Sequence, residues 1–121
     1  MIEPVQPHRT DKPWGYELLI AHTSQYVGKI LHLTAGQALS LQYHREKEET
    51  LHLFSGRALL HTQDASGKHE QQEMAKGASY HIPPGTIHRL EAITDSDFFE
   101  VSTTQLDDVV RLEDRYGREG R

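Results

Sequence analysis

The chain has 121 residues and a mass of 13.8 kDa, which fits one domain and excludes a two-domain enzyme within this span. Hydrophobic content of 36% supports a single core, and the absence of cysteine excludes disulfides, thiolate zinc sites, iron–sulfur clusters and a cysteine nucleophile. Thirteen basic against 18 acidic residues give a net charge of −5, and no basic cluster offers itself to nucleic acid or to anionic lipid.

The first residues, Met-Ile-Glu-Pro-Val-Gln-Pro-His, carry an acid and two prolines where a signal peptide has a basic end and an apolar run. No stretch approaches the roughly 20 apolar residues of a membrane helix. The expectation is a cytoplasmic protein with a flexible N-terminal arm over residues 1–12 and one domain over 13–118. From Trp14 onward, short β-favouring runs recur between glycine, proline and Asp-Ser punctuation. They predict strands at Tyr16–Ala21, Gly28–Leu33, Ala38–His44, Glu49–Leu53, Arg57–Gln63, Glu70–Met74, Ser79–Ile82, Ile87–Ala92 and Phe98–Thr103. Leu106–Tyr116 reads as a short helix or an ordered strap, and Gly117–Arg121 as a frayed end. Many short strands without a helical stripe predict an all-β sandwich or barrel.

Two segments carry chemistry. In the first, Gln42 and His44 stand two apart on a predicted strand and so leave the same face, and Glu49 opens the next strand after a polar turn. Alternation puts Glu49 with Leu51 and Leu53, toward the core, and puts Glu48 with Thr50 and His52, toward solvent. In the second, Pro83-Pro84-Gly85 forms a tight turn that aims His88 inward. An amide, two imidazoles and a carboxylate are the oxygen and nitrogen donors of a first-row divalent metal: manganese, zinc, iron, cobalt or nickel. Taken singly, each histidine of the chain reads as packed or solvated, with His52 and His81 nearest this site.

The spacing resembles the two cupin motifs: Gly36, five residues, Gln42-x-His44, four residues, Glu49, six residues, Gly56; then Gly77, five residues, Pro83-x-Gly85, two residues, His88. Gln42 stands where most cupins have His, and Ala92 where many have Asn. Glutamine there resembles the phosphomannose isomerase branch. So do Lys12-Pro-Trp-Gly-Tyr-Glu, Leu39-Ser-Leu-Gln-Tyr-His, Ile82-Pro-Pro-Gly-Thr-Ile-His-Arg-Leu and the closing Asp107-Asp-Val-Val-Arg-Leu-Glu-Asp-Arg-Tyr-Gly-Arg. The likeness is to the type II phosphomannose isomerase cupin domain and runs from about residue 11 to 118. Arg45-Glu-Lys-Glu replaces that family's His-rich stretch and resembles small stand-alone cupins.

The resemblance implies a cupin double-stranded β-helix (a jelly-roll barrel) with a divalent metal held by Gln42, His44, Glu49 and His88. It implies an aldose–ketose isomerase of the mannose-6-phosphate type acting on a sugar or sugar-phosphate, with Lys29 and Arg111 as catalytic residues. The bland alternatives are a surface lysine at 29 and an ion pair of Arg111 with Glu113 or Asp114. Trp14 and Tyr16 either stack on a sugar or close a barrel end, and Tyr80 and Glu100 are candidates for the mouth. Other functions on this scaffold are a non-catalytic sugar- or nucleotide-sugar-binding regulator and an iron-dependent dioxygenase, the latter disfavoured by Gln42. A homodimer pairing through its sheets, its arm crossing to the partner, completes the expectation.

Overall fold

The computed structural model describes residues 1–120. Eleven strands form two antiparallel sheets. The strands are β1 (His8–Lys12), β2 (Gly15–His22), β3 (Val27–Leu33), β4 (Leu41–Tyr43), β5 (Glu49–Ser55), β6 (Ala58–Gln63), β7 (His69–Glu73), β8 (Ser79–Ile82), β9 (Ile87–Ala92), β10 (Ser96–Ser102) and β11 (Val110–Glu113). One sheet runs β1-β2-β3-β10-β5-β8 and the other β11-β4-β9-β6-β7. This is the all-β jelly roll. No helix of the described residues is long and apolar enough to cross a membrane.

Burial alternates along β3, β9 and β10 and over Glu49–Phe54 of β5, the signature of strands with one face on a core. The inward rows change character along the barrel. One row aligns Leu31, Phe98 and Leu53, and beyond it Lys29 and Glu100 stand beside Leu51. The next aligns Val27, Ser102, Glu49 and Ile82. In the facing sheet Ala92 and Ala58, then Leu90 and Leu60, give way to His88 and Thr62. One end of the barrel is therefore an apolar core, where each fully buried Leu or Phe contributes about 1.5–3 kcal/mol. The other end turns charged side chains inward.

Two glycines make this geometry possible. Gly15 opens β2 so close to β3 that a Cβ there would collide with the carbonyl oxygen of His32. Gly85, at φ 81°, closes the turn before β9 and donates its N–H to the carbonyl of His44 at 2.7 Å. The second metal-motif turn is thereby tied to the first.

Two expectations are corrected, and a third is decided between its alternatives. Residues 8–12 are not a loose arm: they form β1, paired with β2 in full register from His8↔Leu19 to Lys12↔Gly15. This edge strand is wholly polar because its inward side chains, His8, Thr10 and Lys12, face a polar cavity. Residues 106–116 are a strap containing β11, and the helix alternative fails because β4 offers a free edge for pairing. The tail expected to fray is tied down: Asp114 holds Arg118 through its backbone N–H and its guanidinium, and the Gly120 N–H reaches the carbonyl of Arg111. Arg121 lies outside the described residues.

Candidate metal centre and its cavity

Gln42 on β4 pairs in register with His88 on β9, and β5 starts at Glu49 after the turn that follows His44. His44, Glu49 and His88 are all buried, and their ligating atoms lie within 4.8 Å of one another. The Nε2 atoms of His44 and His88 stand 3.0 and 3.1 Å from the same Glu49 oxygen, Oε1. Each imidazole donates its Nδ1–H to a backbone carbonyl, His44 to Asp108 at 2.6 Å and His88 to Thr86 at 2.8 Å. Those bonds orient both rings with Nε2 inward.

The donor set fits a divalent cation. Two donors each about 2.1 Å from one ion and at right angles around it are about 3.0 Å apart, the spacing these atoms show. Chemistry agrees: an anionic oxygen facing two Nε2 atoms is satisfied either by their protons or by one cation. Gln42 brings an amide to the same end of the barrel, its Oε1 accepting the Ser40 hydroxyl at 2.7 Å.

The charges around this cluster act on one another at short range. Burial opposes charge on His44, but the hydrogen bond to Glu49 and that residue's charge outweigh it and raise the imidazole. Burial also opposes charge on Glu49, yet the bonds from His44 and His88 and the charge of Lys47 hold its carboxyl well below the usual range. Lys47 is buried with Nζ 2.9 Å from Glu100 and 3.6 Å from Glu49. Burial alone would lower it, but the two carboxylates raise it, so it stays an ammonium. Burial and then the charge of Glu49 push the Glu100 carboxyl up, with Lys47 and Lys29 opposing.

A cavity of about 410 Å³ opens beside the cluster and meets it at His44. Its wall includes Lys29, Gln42, Lys47, Glu100 and Arg111 as well as Trp14 and strap residues 106–109. Glu49 and His88 are not on that wall. Lys29 is 9% exposed, with Nζ 3.3 Å from Glu17, so the surface-lysine alternative is excluded. Arg111 stands opposite Gln42 in the β4–β11 register, and burial and then the charge of Arg118 lower its guanidinium.

Several other candidates resolve. Trp14 is core and cavity wall at once. Tyr16 lies on the outside of the sheet, stacked on His32 with Arg9 over its ring. Tyr80 accepts the Ala75 N–H and does not line the cavity. His52 bonds to Ser79 and His81 to Glu48, both away from the site. The residue that sequence reasoning missed is Lys47. Its signal was present, a lysine two before the inward Glu49, but a run of Arg-Glu-Lys-Glu reads as a solvated turn.

A family model described as mannose-6-phosphate isomerase C-terminal matches residues 3–114. The chain belongs to that family. It is 34% identical over 112 residues to the mannose-1-phosphate guanylyltransferase ManC of Salmonella typhimurium, covering 88% of this chain and 22% of that protein. It is 30% identical to the xanthan biosynthesis protein XanB of Xanthomonas campestris, with 88% and 23% covered. The chain thus spans less than a quarter of the length of these curated relatives. Among solved structures, the capsular polysaccharide assembling protein CapF of Staphylococcus aureus superposes with a TM-score of 0.81 at 17% identity, covering 91% of this chain and 32% of that one. Oxalate decarboxylase of Bacillus subtilis gives 0.76 at 17%, covering 88% and 30%. At that identity these two likenesses establish the cupin fold.

Proposed function

We propose that this domain is a metal-dependent aldose–ketose isomerase for sugar phosphates of the mannose 6-phosphate and fructose 6-phosphate kind. The observation that carries the reading is the single cavity wall that joins His44 of the donor set to Lys29, Lys47, Glu100 and Arg111. Its volume lies in the range of small-ligand sites. The family membership supports the reading. The names of the relatives refer to mannose 1-phosphate and to xanthan, which favours a mannose-type substrate. The guanylyl transfer in the first of those names belongs to proteins more than four times longer than the shared stretch.

Gln42, His44, Glu49 and His88 would hold the divalent cation, which supplies Lewis-acid stabilisation of charge developing on neighbouring sugar oxygens. Glu100 carries the proton between adjacent carbons, because a carboxyl raised by burial takes up a proton more readily than a solvated one and can return it. Lys47 donates to Glu100 and fixes its orientation. Lys29, cross-strand from Glu100, presents a cation to the sugar oxygens. Arg111 meets the phosphate at the strap side of the cavity.

Incubation of metal-loaded protein with mannose 6-phosphate in D2O tests the reading by NMR. Formation of fructose 6-phosphate, with solvent deuterium entering at the carbon next to the carbonyl, is the expected result. No turnover of any aldose or ketose phosphate overturns it, and tight sugar or nucleotide-sugar binding without turnover makes the domain a binding module. Homodimerisation through the outer face of the six-stranded sheet is part of the same proposal, supported by exposed Ile20, Phe99 and Val101 on that face.

A further inference from the structure

The turn from Arg45 to Glu48 joins β4 to β5 and so governs how His44 meets Glu49. Its successive N–H groups converge on one carboxylate from the strap: Arg45 on Asp108 Oδ1 at 2.9 Å, and Glu46 and Lys47 on Oδ2 at 2.7 and 2.9 Å. The carbonyl of the same Asp108 accepts the His44 Nδ1–H at 2.6 Å. Three consecutive N–H groups around one anion form a nest, a rigid backbone arrangement. Residues 106–109 meanwhile form one wall of the cavity. A single residue therefore touches the strap, the turn that carries Lys47 and a ring of the donor set.

We propose that Asp108 is a positioning residue that couples the cation-binding donors to the strap, so that cation binding and ordering of the strap over the cavity are one event. A carbonyl behind the Nδ1–H of a liganding histidine fixes its tautomer and raises the basicity of Nε2. Here that carbonyl belongs to the strap, and the Asp108 carboxylate keeps it in place. A cation drawing on Nε2 strengthens the Nδ1–H···O bond, and the strap is held more firmly in turn. Asp64 makes a comparable turn cap, accepting the N–H groups of Ser66 and Lys68 at 2.9 Å, but every partner lies within its own hairpin. It is the natural control.

The inference rests on His44, Glu49 and His88 binding a cation, and the experiment separates the two. Mn2+ affinity is measured by titration for wild type, Asp108→Ala, Asp108→Asn and Asp64→Ala, with folding checked by circular dichroism. Loss of a partner that orients a metal ligand typically weakens affinity by about 10–100-fold. That is the expected loss for Asp108→Ala, with Asp108→Asn intermediate because it keeps one acceptor oxygen, and Asp64→Ala within about twofold of wild type. Hydrogen exchange of the wild-type protein with and without Zn2+ is the second readout, and slower exchange over residues 106–113 is expected. It decides the matter together with Asp108→Asn if Asp108→Ala does not fold. Equal affinities in wild type and Asp108 variants, or unchanged exchange in the strap, overturn the coupling and leave the cation site standing. A wild-type protein that binds neither ion overturns both.

Discussion

His44 and His88, 44 residues apart, aim their Nε2 atoms at one oxygen of Glu49 from 3.0 and 3.1 Å. Removing the charge from that oxygen while keeping its shape isolates the contribution of the carboxylate. Glu49→Gln is expected to weaken Zn2+ or Mn2+ binding by about 100-fold or more, since a buried zinc site of four ligands gains on the order of 3 kcal/mol per ligand. Calorimetric titration checks this. An affinity within about threefold of wild type would place the cation elsewhere.

Cation binding should also release protons, and the sign follows from the shifts. His44 is raised above its ordinary value and Glu49 lies well below its own. A raised imidazole is charged at pH values where a free one is already neutral, so between 6.5 and the raised value the cation must displace a proton from Nε2. Affinity for Zn2+ should therefore rise with pH through the raised His44 value and level off above it. Calorimetry in buffers of different ionisation enthalpy reads the protons released directly. Without the cation, the charged His44 stabilises the fold fully below its unfolded value of 6.5, and this contribution is lost as pH rises through the higher folded value. Asp108 behaves oppositely. The N–H groups of Arg45 and Glu46 lower its carboxyl to about 2, so its contribution is present above 3.8 and is lost as pH falls toward 2. Thermal melts of cation-free protein across pH 2–8 should show both limbs.

Most of the barrel was legible because its strands bury one face, and alternation such as Glu49-Thr-Leu-His-Leu states which face. The same alternation states the inward placement of Glu49 and the outward placement of Glu48: Glu49 is buried and Glu48 pairs with His81 on the outside. Legibility failed where the inward face is itself polar. His8–Lys12 has no apolar positions to mark a strand, yet three of its side chains line the cavity. Lys47 failed for the same reason, because an ion pair buried against Glu100 is written in the same letters as a solvated turn. The role of Asp108 was beyond the sequence altogether, since its partners lie 61–64 residues away.

Glu100 allows the isomerase reading to be tested apart from the cation. It is 6% exposed, hydrogen-bonded by Lys47 and on a different strand from all four proposed ligands. Glu100→Gln should leave cation affinity within a few-fold of wild type while lowering turnover by about 10²–10⁴, the usual worth of a positioned proton carrier. Solvent deuterium incorporation should fall in parallel. A variant that retains most of its turnover moves the proton-transfer role to another residue of the wall.

The outer face of the six-stranded sheet offers the last test. Leu18, Ile30 and Phe99 align across β2, β3 and β10, Phe54 stacks on Phe99 at 4.5 Å, and Val101 is 58% exposed beside them. On this face Arg9 pairs with Asp11, and the His32 ring hydrogen-bonds Asp97 at 2.7 Å, so the polar groups beside the apolar row are held by partners within the same chain. Strands about 7 residues long, six abreast, present on the order of 600 Å². That is close to the roughly 800 Å² per partner of a standard stable interface. Sedimentation should therefore give twice the chain mass of 13.8 kDa for wild type and the single-chain mass for Val101→Asp, with both folded by circular dichroism. Because residues 8–12 are committed to the chain's own β2, any crossing of the arm to the partner is confined to residues 1–7. Deletion of those seven should leave most of the dimer intact, whereas a single-chain mass for wild type at working concentration would refute the pairing outright.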